Sequence, residues 1–229
     1  LSKNLKVGLL DADIYGPSVP KMLNISEKPR ASESKKILPY EKFFIKSMSI
    51  GNMVPADKAI IWRGAMATSA IRQMFNDVEW GDLDLLIIDL PPGTGDIQLS
   101  LCQNLMINGA VIVSTPQEVA LLDVRKAINM FKKVNVPILG IVQNMSFIEI
   151  NKEKQYIFGK NGVIKESKKQ NIRFLGEIPI IQKISEAGDK GDPLASKKTS
   201  NIYDIFKNIS NELTMSLSEK KNSKIKISN

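Results

Sequence analysis

Short aliphatic runs that end in acidic, amide or hydroxyl residues are the strongest pattern along this chain. Val7-Gly8-Leu9-Leu10 ends at Asp11, residues 83–88 end at Asp89, and residues 110–113 end at Ser114-Thr115-Pro116. Residues 138–142 end at Gln143-Asn144, and Phe174-Leu175-Gly176 leads into Glu177-Ile178-Pro179. Runs of this length and composition predict strands buried on both faces, as in a parallel sheet. Between them, apolar residues recur at helical spacing. Residues 67–75, 98–105, 118–134 and 201–217 therefore predict helices. In the third, Ala120, Leu121, Val124, Ile128 and Phe131 share one face, and Asn135-Val136-Pro137 stops it. Strands alternating with helices predict an α/β fold, doubly wound, with a mainly parallel sheet and helices on both faces. In such folds ligands sit at the carboxyl ends of the strands, which is where the polar residues named above fall. The polar stretch 26–43 predicts a mobile surface excursion. Residues 1–217 are expected to form the folded domain, and 218–229 a basic, disordered tail.

Composition narrows the chemistry. The 229 residues include no His and one Cys. No Ser-His-Asp or Cys-His nucleophile is possible, no His/Cys zinc site can close within one chain, and no intrachain disulfide can form. The net charge is +8, from 32 Lys+Arg against 24 Asp+Glu, but aromatics are only 6% and no arginine-rich or aromatic-interleaved stripe occurs. Nucleic-acid binding is not expected. No apolar run reaches the ~18–20 residues of a membrane span, so stable membrane insertion is not expected. Residues 1–6 lack the pattern of a signal peptide, and a chain without a starting Met is expected to have been cut from something longer.

Three motifs carry chemistry. In Asp11-Ala12-Asp13-Ile14-Tyr15-Gly16-Pro17-Ser18, two carboxylates alternate just past a strand. They either cap the following turn or orient water and a metal beside a phosphate. In Asp89-Leu90-Pro91-Pro92-Gly93-Thr94-Gly95-Asp96, a rigid strand delivers one carboxylate into a Pro/Gly loop, the Walker B arrangement. Asn144, at another strand end, suits either a turn or the edge of a purine. Phe158-Gly159-Lys160-Asn161-Gly162 and residues 16–21 lack the spacing of a glycine-rich phosphate loop, so no such loop is present in these residues.

Taken together, the motifs resemble the Mrp/ApbC family of iron–sulfur cluster carrier ATPases, a MinD/ParA-like branch of the P-loop NTPases. Beyond the two aspartate motifs, the resemblance rests on Ile61-Trp62-Arg63-Gly64, Thr115-Pro116-Gln117, Asn144-Met145-Ser146, Tyr156-Ile157-Phe158-Gly159 and Leu175-Gly176-Glu177-Ile178-Pro179. It implies that Asp13 orients the attacking water with Asp11 alongside, and that Asp89 supports Mg²⁺ through water. It further implies that Gly93, Thr94, Gly95 and Asp96 report the state of the nucleotide. Asn144 would contact adenine, and the loop ending at Pro179 would close over the base. The implied protein is a cytoplasmic homodimer that binds and hydrolyses ATP. It would carry a [4Fe–4S] cluster and pass it between cluster scaffold proteins and apo iron–sulfur proteins. A MinD/ParA-type partitioning or positioning ATPase is the alternative with the same switch.

The sequence departs from that family twice. The phosphate loop would lie upstream of Val7, so the 229 residues alone are expected to lack a central strand, to bind ATP poorly and to be inactive. The family's Cys-x-x-Cys after Asn-Met-Ser is replaced by Phe147-Ile148-Glu149-Ile150-Asn151-Lys152-Glu153-Lys154-Gln155, which has no thiol. Cys102 falls within a helix and reads as core packing.

Overall fold

The computed structural model describes residues 5–53, 62 and 64–224. Ile61 and Arg63 of the Trp-Arg-Gly motif lie outside the described residues, as do residues 1–4 and 225–229. In chain order the elements are β1 (Val7–Asp11), α1 (Val19–Met22), β2 (Tyr40–Lys42), β3 (Ile45–Ser49), α2 (Ile50–Met53), α3 (Gly64–Asp77), β4 (Leu85–Asp89) and α4 (Asp96–Asn104). There follow β5 (Ala110–Ser114), α5 (Glu118–Lys133), β6 (Ile138–Asn144), β7 (Ile148–Ile150), β8 (Glu153–Gln155), α6 (Gly162–Gln170), β9 (Phe174–Ile178), α7 (Gln182–Asp189) and α8 (Asn201–Lys224).

These elements form two units. The first takes the chain through Leu105 together with Lys183–Ser196, and the second takes Met106–Gln182 with the chain from Lys197 onward. The sheet of the first unit has the order β2-β3-β1-β4. β1 pairs in parallel with both β3 and β4, and β2 is antiparallel to β3. The sheet of the second unit is parallel, with the order β5-β6-β9. The expected α/β architecture is therefore present, divided between two mainly parallel sheets.

That division corrects the expectation that every aliphatic run is buried on both faces. β6 is buried from Leu139 to Gln143, because it has a strand on each side and α6 and α8 packed on it. β4 and β5 each end a sheet. Ile87 is 44% exposed, and β5 alternates buried and exposed residues, with Val113 at 59%.

The local causes of the helices are legible. α5 buries Leu121, Val124, Ile128 and Phe131 at spacings of three and four, and has Glu118 in its first turn and Lys132 and Lys133 in its last. Asn135 then turns left-handed (φ 56°), ahead of Pro137. α8 runs to Lys224, past the predicted end at residue 217. The buried Ser216 hydroxyl donates to the Leu139 carbonyl at 2.7 Å. The Arg173 guanidinium donates to both carboxylate oxygens of Glu219 at 2.8 Å. This two-pronged pairing ties α8 to the residue just before β9.

The excursion at residues 26–43 is tied down more than its composition predicts. Ile37 bridges Ala31 and Val78, its amide donating to the Asp77 carbonyl while its carbonyl accepts from Glu79. β2 then turns into β3 through Phe43 (φ 50°) and Phe44 (φ 61°), two consecutive left-handed residues. Hairpin turns of this form favour Asn-Gly, since a Cβ is penalised at positive φ. Phe44 is 93% exposed, so no packing offsets the strain. Phe44→Gly is expected to stabilise the chain by about 1 kcal/mol, raising the thermal midpoint by roughly 2–4 °C. An unchanged or lower midpoint in a melting experiment would refute this.

Candidate functional site

In the first unit, the carboxyl ends of β1 and β4 lie side by side. The register pairs Asp11 with Asp89, and the Ala12 amide donates to the Asp89 carbonyl at 2.9 Å. This brings Asp11, Asp13 and Asp89 to one strand end, with the Pro91–Asp96 turn following directly from β4.

The three carboxylates differ in how they are held. Asp11 is fully buried. Its Oδ1 accepts from the Asp13 amide at 3.1 Å, and its Oδ2 accepts from the Ser49 hydroxyl at 2.8 Å and the Val19 amide at 3.3 Å. Both oxygens are thus committed to pinning residues 11–19 against the end of β3. Burial pushes the carboxyl of Asp11 above its usual range despite these bonds. Asp13 is half-buried and uses Oδ1 to accept from the Tyr15 and Gly16 amides at 3.0 and 3.2 Å. Its Oδ2 receives no donor among the described residues. Asp89 likewise has no donor among them. Its carboxyl is pushed up, first by partial loss of water and then by the charges of Asp11 and Asp13. Asp13 and Asp89 are therefore the two carboxylates free to face a ligand.

The turn after β4 is equally defined. Gly93 sits at φ +99°, where a side chain is strained. Gly95 is extended and caps α4, and Asp96 places its charge in the first turn of that helix. Beneath the turn lies Gln98, which is 4% exposed and donates from Nε2 to the carbonyls of Pro91 at 3.0 Å and Pro92 at 2.6 Å.

In the second unit, Asn144 ends β6 and pairs in register with Ile178 of β9. Beyond the strands, the Ser146 amide donates to Ile178 and the Ile180 amide to Phe147, so Pro179 is held between two backbone bonds beside Asn144. The side chain of Asn144 accepts from the Met145 amide at 3.0 Å through Oδ1, leaving Nδ2 without a partner among the described residues. Its neighbour Gln143 is fully buried, accepting from the Val163 amide at the start of α6 and donating to Glu177. The Thr115-Pro116-Gln117 segment rests on the same helix start. A Cβ on Gly162 would collide with the Pro116 carbonyl, so only glycine fits there.

The segment without thiols forms the hairpin β7–β8, which turns through left-handed Asn151 and Lys152. Its base is fastened by Phe147 edge-on to Tyr156, ring centroids 6.1 Å apart, with the Lys154 ammonium 4.0 Å from the Phe147 centroid. Cys102 is buried in α4, and burial raises its pKa. No cluster of three His, Cys, Asp or Glu suited to a metal occurs among the described residues.

A family model described as the NUBPL iron-transfer P-loop NTPase of the ParA group matches residues 1–214. The chain belongs to this family. It is 49% identical over 200 residues to the "Iron-sulfur protein required for NADH dehydrogenase, mitochondrial" of Arabidopsis thaliana, covering 86% of this chain and 64% of that protein. With the iron-sulfur cluster carrier protein of Aquifex aeolicus it shares 44% identity over 222 residues, covering 95% and 61%. The chain therefore spans less than two thirds of the length of these two relatives. Among solved structures, a nucleotide-binding protein of Archaeoglobus fulgidus in complex with ADP superposes with TM-score 0.75 at 36% identity, covering 90% of this chain and 81% of that one. The MinD cell division ATPase of Pyrococcus furiosus matches with TM-score 0.66 at 17% identity, covering 93% and 87%, a likeness of fold. No helix among the described residues is long and apolar enough to cross a membrane.

Sequence reasoning found the aspartates and the Pro/Gly loop but missed Ser49 and Gln98. Ser49 ends a polar-tipped strand too irregular to stand out. Gln98 carried a usable signal, an amide three residues past a glycine helix cap. Ser49→Ala is expected to destabilise the chain by about 2 kcal/mol, since it leaves a buried carboxylate short of a donor. Because Asp11 holds its proton more tightly folded than unfolded, its ionisation costs stability as pH rises above 3.8. Denaturant titrations should therefore show a larger deficit at pH 7 than at pH 3, where Asp11 is protonated in both states. A deficit that is equal at both, or absent, would overturn this account.

Proposed function

We propose that this chain is the switch-bearing portion of an ATP-hydrolysing iron–sulfur cluster carrier that works as a homodimer. The supporting observation is the β1–β4 register, which sets Asp13 and Asp89 at one strand end beside the Pro91–Asp96 turn. Asp13, with one oxygen holding its own loop and the other free, is suited to orient a water for attack on the terminal phosphate. Asp11 is the positioning group behind it, since neither of its oxygens is available. The donor set fits Mg²⁺, which takes hard oxygen ligands and keeps several waters. Asp89 would hold it through water, and when bound it would neutralise charge on the phosphates. Repulsion among the three carboxylates favours a cation there. Gly93, Thr94, Gly95 and Asp96 form the loop whose rearrangement would follow the loss of the phosphate. In the second unit, the free Nδ2 of Asn144 and the adjacent Pro179 support an adenine-edge role for the two.

Two parts of the activity lie beyond what these residues supply. The phosphate cradle is one. The open apolar edge of β4 supports a further strand there, which would bring the glycine-rich loop. The thiolates that hold the cluster are the other. The β7–β8 hairpin offers Glu149, Lys152, Glu153 and Lys154, hard or cationic groups that fit an iron–sulfur cluster poorly. The cluster is the cargo of this protein, and its ligands belong outside the hairpin. The MinD-type alternative rests on likeness of fold alone.

ATPase assays on the full-length protein test the switch. Asp13→Ala is expected to lower kcat by at least a hundredfold while ATP binding persists, and the 229 residues alone are expected to show neither. Wild-type-like turnover in the variant, or micromolar ATP affinity of the 229 residues, would refute the reading. For the cargo, Cys102→Ser in the full-length protein is expected to leave the iron bound per protomer unchanged after anaerobic reconstitution. Loss of iron would make Cys102 a ligand after all.

A further inference from the structure

We infer that Gln98 is a positioning residue, the latch that fixes the phosphate-sensing turn in one conformation. The inference rests on the switch reading of that turn. Pro91 and Pro92 have no N–H to donate, so their carbonyls are the only polar backbone groups the pair can use to anchor itself. Both are turned onto one nitrogen, Gln98 Nε2, at 3.0 and 2.6 Å. A primary amide has two protons, and here both are spent on this turn.

The geometry dictates what the turn presents. No cis peptide bond occurs among the described residues, so the Gly93 N–H lies trans to the Pro92 carbonyl. With that carbonyl drawn toward Gln98, the Gly93 N–H is aimed away from it. Gly93 itself is exposed, whereas Gln98 is buried. A Cβ at Gly93 would stand 3.7 Å from Gln98 Nε2, and one at Gly95 would stand 3.6 Å from Gln98 Oε1. The carboxamide thus underlies the turn along its length. A glutamine at this helix position ordinarily turns back onto the amide of the cap residue. Here the nitrogen reaches past the cap to the two prolines, which couples the first turn of α4 to the loop before it.

The chemistry is specific to an amide. Methionine fills the same space but leaves the carbonyl of buried Pro91 unpaired. Glutamate keeps the shape but replaces two donors with a carboxylate facing two carbonyl oxygens. Both variants release the turn, and glutamate also pushes it away.

Hydrogen exchange and steady-state kinetics on the full-length protein test this, with the melting midpoint recorded for each variant. In Gln98→Met, amides 93–97 are expected to exchange about tenfold faster while the rest of α4 keeps its protection. The kcat for ATP is expected to fall about tenfold, with KM within about twofold. Gln98→Glu is expected to show larger effects in the same direction. If Gln98→Glu does not fold, Gln98→Met decides alone. Unchanged exchange at 93–97, or faster exchange spread over α4 with kcat and KM moving together, would overturn the latch. Should the wild type hydrolyse no ATP, the switch reading fails by itself, and the exchange measurement still decides whether Gln98 holds the turn.

Discussion

The pairing of β1 with β4 is the constraint on which the first unit depends. Side chains alternate faces along a strand, so a slip of one residue would move Leu10 out of the core and turn Asp11 the other way. The pairing is fixed by the burial of Leu10 and carried one residue beyond β1 by the bond from the Ala12 amide to Asp89. From that register follow the meeting of three carboxylates and the start of the Pro91–Asp96 turn, while the β1–β3 register, which pairs Asp11 with Ser49, brings the Ser49 hydroxyl to Asp11. Charges that repel each other are held together here by hydrophobic packing.

Within that frame, the acidic groups divide into anchored and free. Asp11 looks like a ligand in the sequence, yet every oxygen it has is spent on its own chain. Asp13 stands two residues on and spends only one. The alternation in Asp11-Ala12-Asp13 thereby separates a buried strut from a carboxylate with one oxygen left free, and a strand-end geometry is what makes two positions so close behave so differently. Gln98 repeats the division of labour in the neighbouring loop, with a buried amide supporting glycines that face outward.

Much of this is legible in the amino-acid sequence. Strands with β-branched and aliphatic runs announced themselves, as did α5 with its clean apolar stripe and proline stop. Elements whose cause is not local were invisible. α6 and α7 are only nine and eight residues long and hold few apolar residues each, so their period is too short to read. The β2–β3 hairpin turns on two phenylalanines where the rules of turns ask for asparagine and glycine, so no turn signal existed to be read. The two-sided burial expected of β4 and β5 failed for a reason the pattern cannot contain, since an aliphatic strand at the end of a sheet reads like one in the middle. At the site, carboxylates were recognisable by type and place, whereas the residues that hold them, Ser49 and Gln98, act through contacts made across the fold.

The β7–β8 hairpin has a last implication. Its shape comes from two left-handed residues and a clasp of two aromatic rings with a lysine. Arms stabilised by metal collapse under chelation, because coordination energy is part of their folding energy. This one is built from contacts among its own residues, so its outline is set by the polypeptide and would carry no signal of a metal bound elsewhere.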